Sequence, residues 1–202
     1  MSQADQEKWD ARYRAGEYQA RSHPSALLAE WLPKLNCPPG CMALDVACGL
    51  GRNALFLARQ GWHVDAVDIS QVALDHLAAA ADAESLDVTC LAMDLESAKP
   101  RLFLAHHYDL AVMIRYTNLP LIASLAEAAK PGGHIIVEEH LVTDADVVGP
   151  SNTRYRAAPG ALRSAAAGLD IIAYEEGLVA DPDGRTAALA RLVARRPDPA
   201  SP

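Results

Sequence analysis

The side chains best placed for chemistry cluster in and after one segment, Met42 to Asn53, MALDVACGLGRN. Met42, Ala43, Leu44 and Val46 make a short apolar strand, Gly49 and Gly51 clear a turn of side chains, and Arg52 to Arg59 continues at helical spacing to Gly61. A strand entering a glycine turn that opens a helix is where α/β folds hold nucleotide-like ligands. The spacing of Gly49, Gly51 and Ala54 is shared with dinucleotide sites, so it does not name the ligand. Asp45 discriminates: a carboxylate four residues before Gly49 repels a pyrophosphate at the helix N-terminus and suits a ligand with a positive end. The plainer role for Asp45 is an Asx cap on the turn. Asp68, at the end of the next strand, can accept both hydroxyls of a ribose. Asp94 follows a third strand, where its carboxylate and the adjacent backbone N–H can read the amino group and ring nitrogen of an adenine.

These acids need strands to carry them. Trp62–Val67, Leu86–Leu91, Tyr108–Ile114 and His134–Glu139 read as the strands after the first, with helices between them. Ser70 is the expected N-cap of a helix reaching about Ala83, and a helix from about Leu119 to Ala129 stops at Lys130-Pro131-Gly132-Gly133. The alternation predicts a doubly wound α/β fold: a mostly parallel seven-stranded sheet, helices on both faces. Residues 169–176 and 186–194, joined by Asp181, Pro182, Asp183 and Gly184, read as an antiparallel hairpin closing one edge. Upstream, Asp5–Tyr13 forms a short helix with Trp9 and Tyr13 on one face, and Ser25–Leu35 a second helix. The aromatic pair serves either as a packing anchor or as a cover for the cofactor. Residues 141–158 read as a loop long enough to be a lid, 159–168 as a short helix and 196–202 as a disordered tail. One domain over 1–195 is expected, with 1–36 as its N-terminal cap.

The 202 residues are half apolar and 22% charged, which excludes a disordered chain. A net charge of −8 without clustered Lys and Arg argues against nucleic-acid partners. The absence of a long apolar run or a leader-like start argues against membranes and for a cytoplasmic location. A small-molecule partner and a monomer or homodimer are expected. Cys37, Cys41, Cys48 and Cys90 are then expected as reduced thiols, and two cysteines without a matched second pair make a poor metal site.

Taken together, Asp45–Asn53, Asp68, Asp94 and KPGGHIIVEE at Lys130–Glu139 resemble the class I S-adenosylmethionine-dependent methyltransferases. The resemblance implies S-adenosyl-L-methionine as cofactor. It places Asp45, Ala47, Gly49, Gly51, Asn53, Asp68, Ile69, Asp94, Leu95 and Arg115 around that cofactor, under Trp9 and Tyr13. WDARY at Trp9–Tyr13, IRYTN at Ile114–Asn118 and GPSNTRYRAAPGAL at Gly149–Leu162 are similar to small bacterial enzymes of the tellurite-resistance and thiopurine-methyltransferase type. That narrower likeness implies a small acceptor such as a thiol or a selenium or tellurium species. Tyr116, His140 and Arg154 are the acceptor-side candidates, with Arg115 and Asn118 beside them, Glu139 as a further possible base and Arg156 as a second orienting cation. The competing readings are a non-catalytic S-adenosylmethionine-binding module and a nicotinamide-dependent oxidoreductase.

Overall fold

The computed structural model describes residues 3–38, 40–96 and 103–198. The elements run α1 (Gln3–Arg14), α2 (Ala26–Trp31), β1 (Met42–Val46), α3 (Arg52–Arg59), β2 (His63–Asp68), α4 (Gln71–Ala83) and β3 (Val88–Ala92). They continue as β4 (Tyr108–Ile114), α5 (Leu121–Ala128), β5 (Ala129–His140), α6 (Ala161–Ala165), β6 (Asp170–Ala180) and β7 (Thr186–Arg195). The sheet order is β3-β2-β1-β4-β5-β7-β6. Strands β1 to β5 pair in parallel and β7 runs antiparallel between β5 and β6. This is the doubly wound mixed sheet with an edge hairpin that the alternation of elements predicts.

Strand side chains alternate between faces, and the two faces bury separate apolar layers. Leu44, Val46, Met113, Ile135 and Val137 pack against Leu121, Ile122 and Leu125 of α5 and Leu162 of α6. Ala43, Leu110, Val112 and Ile136 meet Leu28 of α2, Leu57 of α3 and Leu77 of α4 on the other face. Ser70 caps α4, its Oγ accepting from Ala73 N–H at 3.2 Å. Pro33 ends the predicted Ser25–Leu35 helix early, and Leu32–Lys34 continues as a 3-10 turn. Among the described residues no helix is long and apolar enough to cross a membrane.

Several sequence expectations are corrected. Helix α5 stops at Ala128, and Lys130-Pro131-Gly132-Gly133 already belongs to β5. Gly133 makes this possible, because a Cβ there would lie 2.9 Å from the Lys130 carbonyl and 3.1 Å from that of Tyr108. Cys37 and Cys41 form a disulfide, their Cα atoms 6.4 Å apart and within bridging range. Cys48 and Cys90 are the free thiols. The hairpin strands run longer than expected, through Gly177 to Ala180 and on to Arg195. The loop after β5 is pinned by bridges between Leu141 and Ala157 and between Val148 and Ala187. Arg196, expected to begin a disordered tail, bonds Gly133 through its backbone and the carbonyls of Glu127 and Ala129 through its guanidinium. Residues 199–202 of that tail lie outside the described residues.

Candidate functional site

The strand order reverses direction at β1, which lies between β2 and β4, and ligand crevices open beyond the strand ends at such a point. A cavity of about 810 Å³ opens there, bounded by the ends of β2, β4 and β5, the turn after β1, helix α1 and the 147–155 segment. Ala47, Cys48 and Gly49 form its floor, with Ala47 at φ +55° and Gly49 also at φ +55°. Asp68 fixes that floor: its Oδ2 accepts from Gly49 N–H and its Oδ1 from Ser70 N–H, each at 2.9 Å. Burial nevertheless pushes the Asp68 carboxyl upward, against those backbone donors. Asn53 and Ile69 complete this side, and the Asn53 Oδ1 accepts from Ser25 N–H at 2.9 Å.

Helix α1 forms the roof because Asp10 clamps it to the start of α4. The Asp10 Oδ1 accepts from Ser70 Oγ at 2.6 Å and from Val72 N–H at 3.3 Å. Trp9 and Tyr13 both face the cavity and stack with ring centres 5.9 Å apart, so packing and covering are one arrangement. Tyr18 joins them, 6.3 Å from Trp9 and 6.0 Å from Tyr13, and the Arg12 guanidinium lies 4.7 Å from the Trp9 ring centre. The Tyr13 hydroxyl meets the glycine turn, since a Cβ on Gly49 would lie 2.8 Å from it. Burial, reinforced by Asp68, keeps this phenol protonated.

Three of the sequence-predicted cofactor residues stand off the cavity wall. Asp45 is only 1% exposed within β1 and takes the Ala54 N–H at the start of α3. Burial pushes its carboxyl up to about 7 against the pull of Arg52, and its Oδ2 has no partner. Gly51 packs against α4: at φ +78°, its Cβ position would fall 2.2 Å from Leu77 Cδ1. Asp94 folds its Oδ1 back onto Glu96 N–H at 2.9 Å, and Leu95 and Glu96 face the cavity instead.

On the far side lie Arg115, Tyr116, Thr117, His140 and Arg154. Arg115 faces the cavity with its donors committed. Its Nε donates to Glu138 Oε1 at 2.9 Å, and its two terminal nitrogens bind both oxygens of Asp181, tying the β6–β7 turn to β4. His140 is 5% exposed with its Nδ1 unpartnered. Burial and the cations Arg115, Arg156 and Arg21 push its pKa down to about 3, so the imidazole is neutral. Tyr116 donates weakly to Glu96 at 3.4 Å, and burial raises its pKa. Glu139 is fully buried off the wall, its carboxyl pushed well up by burial. Arg156 does not face the cavity. It spends its Nε on the Pro150 carbonyl and a terminal nitrogen on that of Leu141, at 2.8 and 2.9 Å, so it holds the loop in place and leaves Arg154 as the exposed cation. Thr117 takes the wall position expected for Asn118.

Arg12, Tyr18, Arg21, Arg52 and Arg185 also line the cavity and were not singled out from sequence. The WDAR spacing offered a signal for Arg12, which is i+3 from Trp9. Arg185 had none, because only the closed hairpin carries it there.

Comparison with known proteins adds likenesses to methyltransferases. A model of the methyltransferase domain matches residues 43–133. The chain is 39% identical over 74 residues to a thiopurine S-methyltransferase of Bordetella petrii, covering 35% of this chain and 33% of that protein. It is also 39% identical over 118 residues to a ribosomal protein L11 methyltransferase of Dechloromonas aromatica, covering 56% and 37%. The crystal structure of TehB from Haemophilus influenzae superposes with a TM-score of 0.68 at 22% identity, covering 92% of this chain and 66% of that one. The chain spans about a third of the length of the two curated relatives. Residues 43–133 match the methyltransferase-domain model, and the sheet built around them shares the fold of the TehB structure.

Proposed function

We propose that the chain binds S-adenosyl-L-methionine over the Ala47–Gly49 floor and transfers its methyl group to a small acceptor. The observation that carries this reading is continuity: one cavity runs from the glycine turn and Asp68 to Tyr116, His140 and Arg154. The residues suit the cofactor. Asp68, on the cavity wall, opposes a pyrophosphate at the turn and presents its carboxylate to ligand hydroxyls. In this reading Asp68 receives the ribose, Leu95 borders the adenine, and Trp9, Tyr13 and Tyr18 exclude water from above. When bound, S-adenosylmethionine supplies an electrophilic methyl on a sulfonium.

What the protein adds is placement, which lowers such a barrier by roughly 7–11 kcal/mol when the reacting atoms are held near attack geometry. Neither Tyr116, a protonated phenol, nor His140, with a pKa of about 3, takes a proton efficiently at neutral pH. The wall therefore favours an acceptor that needs no base, such as a thiolate or a reduced selenium or tellurium species. The test is release of S-adenosylhomocysteine across thiols, selenite, tellurite, halides, phenols and small carboxylates. Turnover confined to soft nucleophiles is expected. Tight cofactor binding without turnover on any acceptor makes the chain a non-catalytic binding module.

A further inference from the structure

The chain is acidic overall, yet the cavity wall has the opposite sign: Arg12, Arg21, Arg52, Arg115, Arg154 and Arg185 line it against the carboxylates of Asp5, Asp68 and Glu96. Most of these guanidinium groups are occupied. Arg12 binds Glu17, Arg52 the His23 carbonyl, Arg115 both Glu138 and Asp181, and Arg185 binds Asp183. Arg21 and Arg154 are the exceptions among the described residues lining the cavity, and of the two Arg154 lies on the exposed rim while Arg21 is half-buried. Arg21 is held in place by its backbone bond to the Tyr18 carbonyl at 3.0 Å and by the Tyr18 ring, 5.7 Å away. Like-charged Arg115 and Arg185 stand nearby, with Asp181 and Asp183 turned to those two arginines. A half-buried guanidinium without a hydrogen-bonded partner is a costly arrangement that a ligand anion relieves. On the same wall, His140 lines the cavity with its Nδ1 buried against Gly149, which leaves Nε2 as the ring nitrogen available to a ligand. A neutral imidazole in the Nε2–H tautomer donates to an anion without adding charge.

We propose that Arg21 and His140 form an anion subsite on the acceptor side of the cavity, selecting acceptors that carry a carboxylate or comparable oxyanion besides the nucleophilic atom. The subsite rests on reading the cavity as a methyl-transfer site. The cofactor has a carboxylate of its own, and Arg52, beside the glycine turn, is the cation nearest in sequence to that end.

The test is calorimetric binding to protein saturated with S-adenosylhomocysteine, comparing 3-mercaptopropionate with its neutral methyl ester, while the His140 Cε1–H resonance is followed. Saturation is established first; failure to bind S-adenosylhomocysteine overturns the methyl-transfer reading itself. The carboxylate is expected to bind at least tenfold more tightly than the ester and to raise the His140 pKa. Arg21→Gln is expected to erase that preference and Arg21→Lys to restore part of it, each checked for an unaltered melting temperature. Should Arg21→Gln fail to fold, the wild-type preference and the His140 shift still decide. Equal binding of acid and ester, or a carboxylate that leaves His140 unmoved, overturns the subsite. So does an Arg21→Gln variant that weakens S-adenosylhomocysteine alone, which assigns Arg21 to the cofactor's carboxylate.

Discussion

Gly51 shows how closely the glycine turn is tied to the core, and Gly51→Ala measures it. The residue sits at φ +78°, so alanine carries the left-handed cost of roughly 1–2 kcal/mol. Its new Cβ would lie 2.2 Å from Leu77 Cδ1, 2.7 Å from Cδ2 and 2.8 Å from Cγ. Leu77 is fully buried among the α3 and α4 side chains, so the whole isobutyl group must move, an overpacking cost of about 1–3 kcal/mol. The expected loss is therefore about 2–5 kcal/mol. Gly61→Ala is the matched control: φ is +85°, yet nothing lies within 4 Å of its Cβ position, so only the backbone cost of roughly 1–2 kcal/mol applies. Urea denaturation of both variants with unchanged m-values isolates the packing part as their difference. Equal losses for the two substitutions refute the claim that Leu77 closes the turn from below.

Other expectations follow from the same geometry. Arg115→Ala removes the bidentate partner of Asp181 and one of the partners of buried Glu138, which keeps Ser25 Oγ and Arg191, and is expected to cost about 3 kcal/mol in chemical denaturation; a loss under about 1 kcal/mol contradicts the buried linkage. His140, lowered in the native state to about 3 from an ordinary 6.5, leaves unfolding to take up a proton below pH 6.5. Its contribution to stability is thus full above pH 6.5 and falls as the pH drops toward 3, and NMR titration of its Cε1–H is expected to show no midpoint above pH 5. Denatured, unreduced protein is expected to titrate two thiols, Cys48 and Cys90, and four after reduction; four before reduction contradicts the Cys37–Cys41 bridge.

Local patterns were legible where one segment decides its own conformation. YDLAVMI is apolar throughout except for Asp109, and β4 occupies those residues, Tyr108 to Ile114. The glycine turn, Ser70 as a cap and Asp181–Gly184 as a hairpin turn were legible for the same reason. Lys130-Pro-Gly-Gly did mark the end of α5, but it hid the start of β5, which Gly133 permits by letting the Lys130 and Tyr108 backbones approach closely. The cysteines were judged from an expected compartment, whereas Cys37 and Cys41, 4 residues apart, lie within bridging distance. In the site, residues carried on strand ends were visible and those delivered by long-range folding were not. Arg21 arrives from the segment after α1 and Arg185 from the returning hairpin, and neither lies near the glycine turn in sequence. Asp45 and Asp94 were correctly placed near the strand ends, but a helix-start N–H and an Asx turn take up their carboxylates.

The most direct test of the central claim is thermal denaturation with S-adenosylhomocysteine and, separately, with NAD, each at a saturating concentration. A ligand that binds only the native protein adds about 2.7 kcal/mol at one hundred times its Kd, or roughly 5–11 °C for a chain of this size. The expected result is a shift of that size with S-adenosylhomocysteine and none with NAD. No shift with S-adenosylhomocysteine, or an equal shift with NAD, contradicts the account.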